Sequence, residues 1–203
     1  MNVVTCTLVA DGSSDRVLIP ILQRLLDTHC PRPTRLNFAL GLAPSSRTLA
    51  DRITATLNLY PCDYLFVHRD AERESADDRR GEIESAWAVQ SRSGALMTVV
   101  PVRMTEAWLL LDEVAIRAAA GNPNGRISAG LPAASRIEQL TNPKQILFEV
   151  LCRVSELPTS RLRRFDAGAR RHRVAELMEG LAPLRQLPSF SRLEAQVAQA
   201  FQV

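Results

Sequence analysis

A chain of 203 residues, 46% hydrophobic and 23% charged, is long enough for one well-buried core and has the composition of an ordinary soluble globular protein. Its formal net charge of +3, from 25 basic and 22 acidic residues, is too small to mark a nucleic-acid binder by charge alone. The first apolar run ends at Asp11, without a basic lead, and no later run approaches the roughly 18 apolar residues of a membrane span. A cytoplasmic protein with no membrane partner is expected. Cys6, Cys30, Cys62 and Cys152 are far apart and form no CxxC pair, so free thiols are expected rather than disulfides or zinc ligands.

In chain order, Val3 to Ala10 is apolar and β-branched, as in a strand buried on both faces of a parallel sheet. A helix follows, with Val17, Leu18, Ile21, Leu22, Leu25 and Leu26 at helical spacing, Ser13 or Ser14 as its cap and Pro20 in its early turns. Arg35 to Leu40 reads as a second strand. Ser46 is the expected cap of a second helix carrying Leu49, Ile53 and Leu57. Asp63 to His68 reads as a third strand, residues 76–91 as a polar helix and Ala95 to Met104 as a fourth strand, where Pro101 predicts an edge or a bulge. From Glu106 onward the pattern is helical. It includes one or two helices ending at Gly121, a proline-started helix in "NPKQILFEVLCRVSE", and helices in "RHRVAELMEG" and "FSRLEAQVAQAF". The fold class expected is α/β, with a mainly parallel sheet of about four strands flanked by helices, over 1–112, and a helical C-terminal extension over 113–203.

Three strand ends carry acids: Asp11 and Asp15 after the first, Asp70 and Glu72 after the third, Glu106 after the fourth. In a parallel sheet these ends share one edge, where ligands bind. Neighbouring first and third strands would bring their carboxylates together, a repulsive cluster unless a cation sits in it. Oxygen ligands without a cysteine or histidine pair favour Mg²⁺ or Mn²⁺. If the chain stays extended there, Asp70 and Glu72 point the same way. Each acid also has a plainer reading. Asp15 and Glu106 suit the first turn of a helix, and Asp70 and Glu72 stand in a mixed-charge run of the kind that is commonly solvated.

The pairing of "ADGSSD" with "VHRDAE" resembles the TOPRIM domain of topoisomerases, primases and OLD-type nucleases. There a glutamate ends the first strand and an Asp-x-Asp pair ends the third. The stretch "VVPVRMTEAWLLLDEVAIRAAAGNPNG" is similar to small stand-alone TOPRIM-like proteins of bacteria, often found beside an ABC- or AAA-type ATPase in anti-phage settings. The resemblance implies a Rossmann-like TOPRIM fold and a nuclease in which Asp11 and Asp70 are catalytic. It also implies that Asp11, Asp70 and Glu72 hold Mg²⁺ or Mn²⁺; Glu106 is an added candidate ligand. The chain departs from the pattern twice, with Asp11 in place of glutamate and Glu72 in place of aspartate.

Clustered arginine suits phosphate, and "RLRRFDAGARRHR" holds Arg161, Arg163, Arg164, Arg170, Arg171 and Arg173. With Arg69 these are the candidate nucleic-acid contacts. A solvated helical face is the alternative reading of the same run. The expected function is a metal-dependent nuclease on DNA or RNA, working with an ATPase and with a homo-oligomer left open. The alternative is a non-catalytic binding or regulatory subunit. A phospho-receiver fits poorly, because the one lysine, Lys144, follows Pro143 at an apparent helix start.

Overall fold

The structure, a computed structural model, describes residues 2–42, 48–90 and 94–202. Four strands, β1 (Val4–Val9), β2 (Thr34–Phe38), β3 (Tyr64–His68) and β4 (Ala95–Val99), form one all-parallel sheet in the order β2-β1-β3-β4. Crossovers run through α1 (Ile19–His29), α2 (Leu49–Leu59) and α3 (Ala76–Ala88). The rest of the chain is helical: α4 (Glu106–Leu109), α5 (Glu113–Ala119), α6 (Ala134–Ile137), α7 (Pro143–Val154), α8 (Thr159–Leu162), α9 (Ala167–Leu177) and α10 (Pro188–Phe201). The chain is thus an α/β protein with a parallel sheet, flanking helices and a helical C-terminal half.

Strand alternation sorts the side chains into two cores. Cys6 and Leu8 of β1, Phe66 of β3, and Met97 and Val99 of β4 face a large core shared with α1, α4, α5, α7, α9 and α10. Val9, Leu65 and Val67 face a small one, closed by Ile53 and Leu57 of α2 and Ile83 of α3. β1 and β3 are central, which explains their near-continuous apolar character. Trp108 is fully buried in the large core, edge-on to Phe190 at 5.3 Å, and donates to Ser189 Oγ at 3.0 Å. Trp87 packs against the small core. All four cysteines are free.

Several boundaries differ from the sequence reading. β4 stops at Val99 rather than running to Met104, since Pro101 has no N–H and Arg103 turns into the left-handed region at φ 63°. β4 is an edge strand, as Pro101 predicted. Its edge is covered by a side chain from α10: Gln196 accepts from Thr98 N at 3.0 Å and donates to the Leu96 carbonyl at 3.1 Å. Ser46 lies outside the described residues, and α2 is capped by Thr48, whose hydroxyl accepts from Asp51 N at 3.1 Å. The stretch from Glu106 to Gly121 is two helices, broken where Asp112 caps α5 by accepting from Ala115 N at 2.9 Å.

Candidate functional site

The site is built on the register of β1 with β3, which pairs Val9 with Val67 and carries both strands out at one edge of the sheet. Beyond β1 the chain turns at Gly12 into a 3-10 helix, Ser13–Leu18. Neither serine caps it. The Asp15 carboxylate folds back instead and accepts from Gly12 N at 3.0 Å, because a tight 3-10 turn brings the third residue over the first N–H. Asp15 is thereby held over the sheet edge.

Beyond β3 and β4 the two segments stay laced through Arg69 N to Val99 O at 3.2 Å, Ala71 N to Pro101 O at 3.1 Å and Glu72 N to Arg103 O at 3.0 Å. Glu72 is itself in the left-handed region, at φ 51°, within a turn closed by Glu74 N to Ala71 O at 2.9 Å. The chain is therefore not extended here, and the alternation that would turn Asp70 and Glu72 to one side is absent. Glu72 is exposed.

Around Asp70 lies a buried polar cluster. His68 is only 2% exposed, and its Nδ1 stands 3.0 Å from the Val99 carbonyl, so that nitrogen carries the hydrogen. Nε2 then presents its lone pair to Thr105 Oγ1 at 3.5 Å, Asp70 Oδ1 at 3.6 Å and Asp15 Oδ2 at 4.0 Å. Thr105 donates to Asp70 Oδ1 at 3.3 Å. Burial pushes the Asp70 carboxyl up to about 7, helped by the negative charges of Asp15 and then Glu106. Burial likewise lowers His68 below the ordinary imidazole value, against the pull of Asp15.

Glu106, the first residue of α4, is buried against Arg171 of α9 in a short charge-assisted hydrogen bond. The other arm of Arg171 donates to the Ser14 carbonyl at 2.8 Å. One arginine thus ties α9 to the loop after β1 and to α4. Its neighbour His172 has its pKa lowered by burial and then by Arg171.

Asp11 is paired outside this cluster, although its charge still reaches His68. Arg52 Nη1 of α2 lies 2.6 Å from its Oδ1 and Arg69 Nε lies 2.8 Å from its Oδ2. Arg52 also donates to the Ala10 carbonyl, and Arg69 to Glu82 Oε1 at 2.8 Å. Of the acids singled out from sequence, then, Asp15 and Glu106 are brought within electrostatic reach of Asp70. Asp11 is held by arginines and Glu72 is turned out to solvent. Among the described residues no group of three or more His, Cys, Asp or Glu side chains is arranged to hold a metal ion.

The basic run divides in two. Arg161, Arg163 and Arg164 are exposed and have no side-chain partner among the described residues. Arg170 lies over the Phe165 ring at 5.6 Å and donates to the Ala119 carbonyl at 3.2 Å, while Arg173 pairs with Glu176 at 2.8 Å. Arg171 points inward. Arg52 and the inward turn of Arg171 were missed from sequence. Arg52 sits in an ordinary amphipathic helix and Arg171 inside a run of arginines, so neither carries a local signal. His68 had one, since it ends a strand that is otherwise apolar apart from Tyr64.

No family model matches the chain, and no curated protein or solved structure matches it. Among the described residues no helix is long and apolar enough to cross a membrane.

Proposed function

We propose that the chain is a divalent-metal-dependent phosphodiesterase, a TOPRIM-like nuclease acting on DNA or RNA, with Asp70 as its central residue. One observation carries the reading: Asp70, beyond β3, is buried within reach of the charges of Asp15, beyond β1, and Glu106, beyond β4, and burial and those two carboxylates push it up to about 7. An excess of negative charge around a partly buried carboxylate at the carboxyl edge of a parallel sheet suits a hard cation, Mg²⁺ or Mn²⁺. Asp70 would hold it, with Asp15 as the candidate second ligand and Glu106, paired with Arg171, adding only its charge. Such a cation polarises a phosphate and activates water when bound. Thr105, which donates to Asp70 Oδ1, orients Asp70. The exposed Arg161, Arg163 and Arg164 supply positive charge for a polyanion. A partner ATPase and a role in bacterial defence belong to the same reading through the TOPRIM resemblance alone.

A second reading, a non-catalytic regulatory subunit, is favoured by Asp11, which stands where the TOPRIM pattern has its catalytic glutamate and here is held between two arginines. Plasmid and RNA cleavage assays with Mg²⁺ or Mn²⁺ separate the two. Cleavage that disappears in Asp70→Ala is the expected result. A chain inert on every nucleic acid with either metal, alone and with an ATPase partner, sinks the nuclease reading and leaves the second.

A further inference from the structure

The Asp11 carboxylate receives two guanidinium groups from different parts of the chain, one on each oxygen: Arg52 from α2 at 2.6 Å and Arg69 from beyond β3 at 2.8 Å. Two planar cationic forks closing on one oxyanion is the arrangement that recognises phosphate. It lies at the carboxyl edge of the sheet, and Arg69 is the residue next to Asp70. We propose that Arg52 and Arg69 form a subsite for phosphoryl oxygens, which the chain's own Asp11 fills and an incoming phosphate displaces. The substrate class rests on the phosphodiesterase reading; the geometry does not.

Three further observations support the exchange. The Asp11 side chain is 47% exposed and each arginine 22%, so the carboxylate is the more solvent-accessible partner and its withdrawal breaks two ion pairs without exposing a buried side chain. The fit is incomplete: Arg69 Nε is buried, and its N–H does not aim at the nearby Asp11 oxygen or at any other acceptor. A tetrahedral anion offers oxygens in directions a planar carboxylate lacks. Charge points the same way. Arg52 and Arg69 both face Asp11, and Arg69 shares Glu82 with Arg79, so withdrawing Asp11 leaves two guanidinium groups facing the gap. Asp11 then acts as an internal competitor that keeps the subsite from holding phosphate tightly.

The test is calorimetric titration of the full chain in chelator-treated buffer with two probes, inorganic phosphate and a dinucleoside monophosphate. The wild type is compared with Asp11→Ala, Asp11→Asn, Asp70→Ala, and Asp11→Ala combined with Arg52→Gln or Arg69→Gln. Both Asp11 variants are expected to bind at least one probe about tenfold tighter or more, since a competing like charge has gone. Either arginine change should remove the gain. Tighter binding of the diester assigns the subsite to a nucleic-acid backbone, and of inorganic phosphate to a terminal phosphate. Asp70→Ala should retain wild-type phosphate binding, so loss of cleavage and loss of the subsite are separate results. Asp11 variants that fold but bind neither probe more tightly than wild type overturn the proposal and leave a structural ion pair fastening α2 to the sheet.

Discussion

Asp70 keeps its proton to about pH 7 in the folded chain, against 3.8 for an ordinary aspartate. Between those values the folded state binds more protons than the unfolded state, so stability falls as pH rises across the window. The loss from Asp70 should be on the order of 2–3 kcal/mol, after allowing for the solvent that still reaches the carboxyl. Asp70→Asn has no such loss. Urea denaturation should therefore show the variant gaining on the wild type from about pH 4.5 to about pH 7.5, and a constant difference would count against the buried acid. At this scale the sequence was only partly readable. That acids gather at the strand ends followed from a parallel sheet and a count of carboxylates. Which acid of the first loop turns to Asp70 depended on a 3-10 turn, whose winding hands Asp15 to the cluster and leaves Asp11 to Arg52 and Arg69.

At the scale of elements, the strands were legible because alternation and β-branching are local. The end of β4 was less so, since a run of valines continues past the point where Pro101 and Arg103 take the chain away. The partner of that edge was not legible at all. Gln196 sits on α10, far along the chain, and only packing brings its amide to Thr98 and Leu96. Its two hydrogen bonds to the strand backbone do what a fifth strand would do. Gln196→Leu should cost about 1–3 kcal/mol through the unpaired N–H and carbonyl it leaves, and should open the edge to pairing with a second copy. Gln196→Glu keeps the acceptor and should fall between. Urea titration reads the first effect, and light scattering against concentration the second. A monomeric Gln196→Leu chain of unchanged stability would show that the edge needs no cover.

For the whole molecule, the buried pair of Arg171 and Glu106 is a charged link between α9 and the segments beyond the strand ends. It lies where the large core already joins residues from both halves. Arg171→Met strands a buried carboxylate and should destabilise by about 3–5 kcal/mol. Combining it with Glu106→Leu should recover most of that, because two apolar side chains leave no charge behind. A double-mutant cycle in urea measures the difference, and additive losses would mean that the two residues act independently. Long-range links of this kind lie beyond sequence periodicity, which reports faces and not partners. The division of the interior into two cores has an optical consequence. Trp108 lies in one core and Trp87 borders the other, and the chain has only these two indole chromophores. Emission from a Trp87→Phe chain comes from the helical side of the sheet alone, and emission from a Trp108→Phe chain from the α2–α3 side. The two layers can therefore be watched melting separately, in one protein, with no added dye.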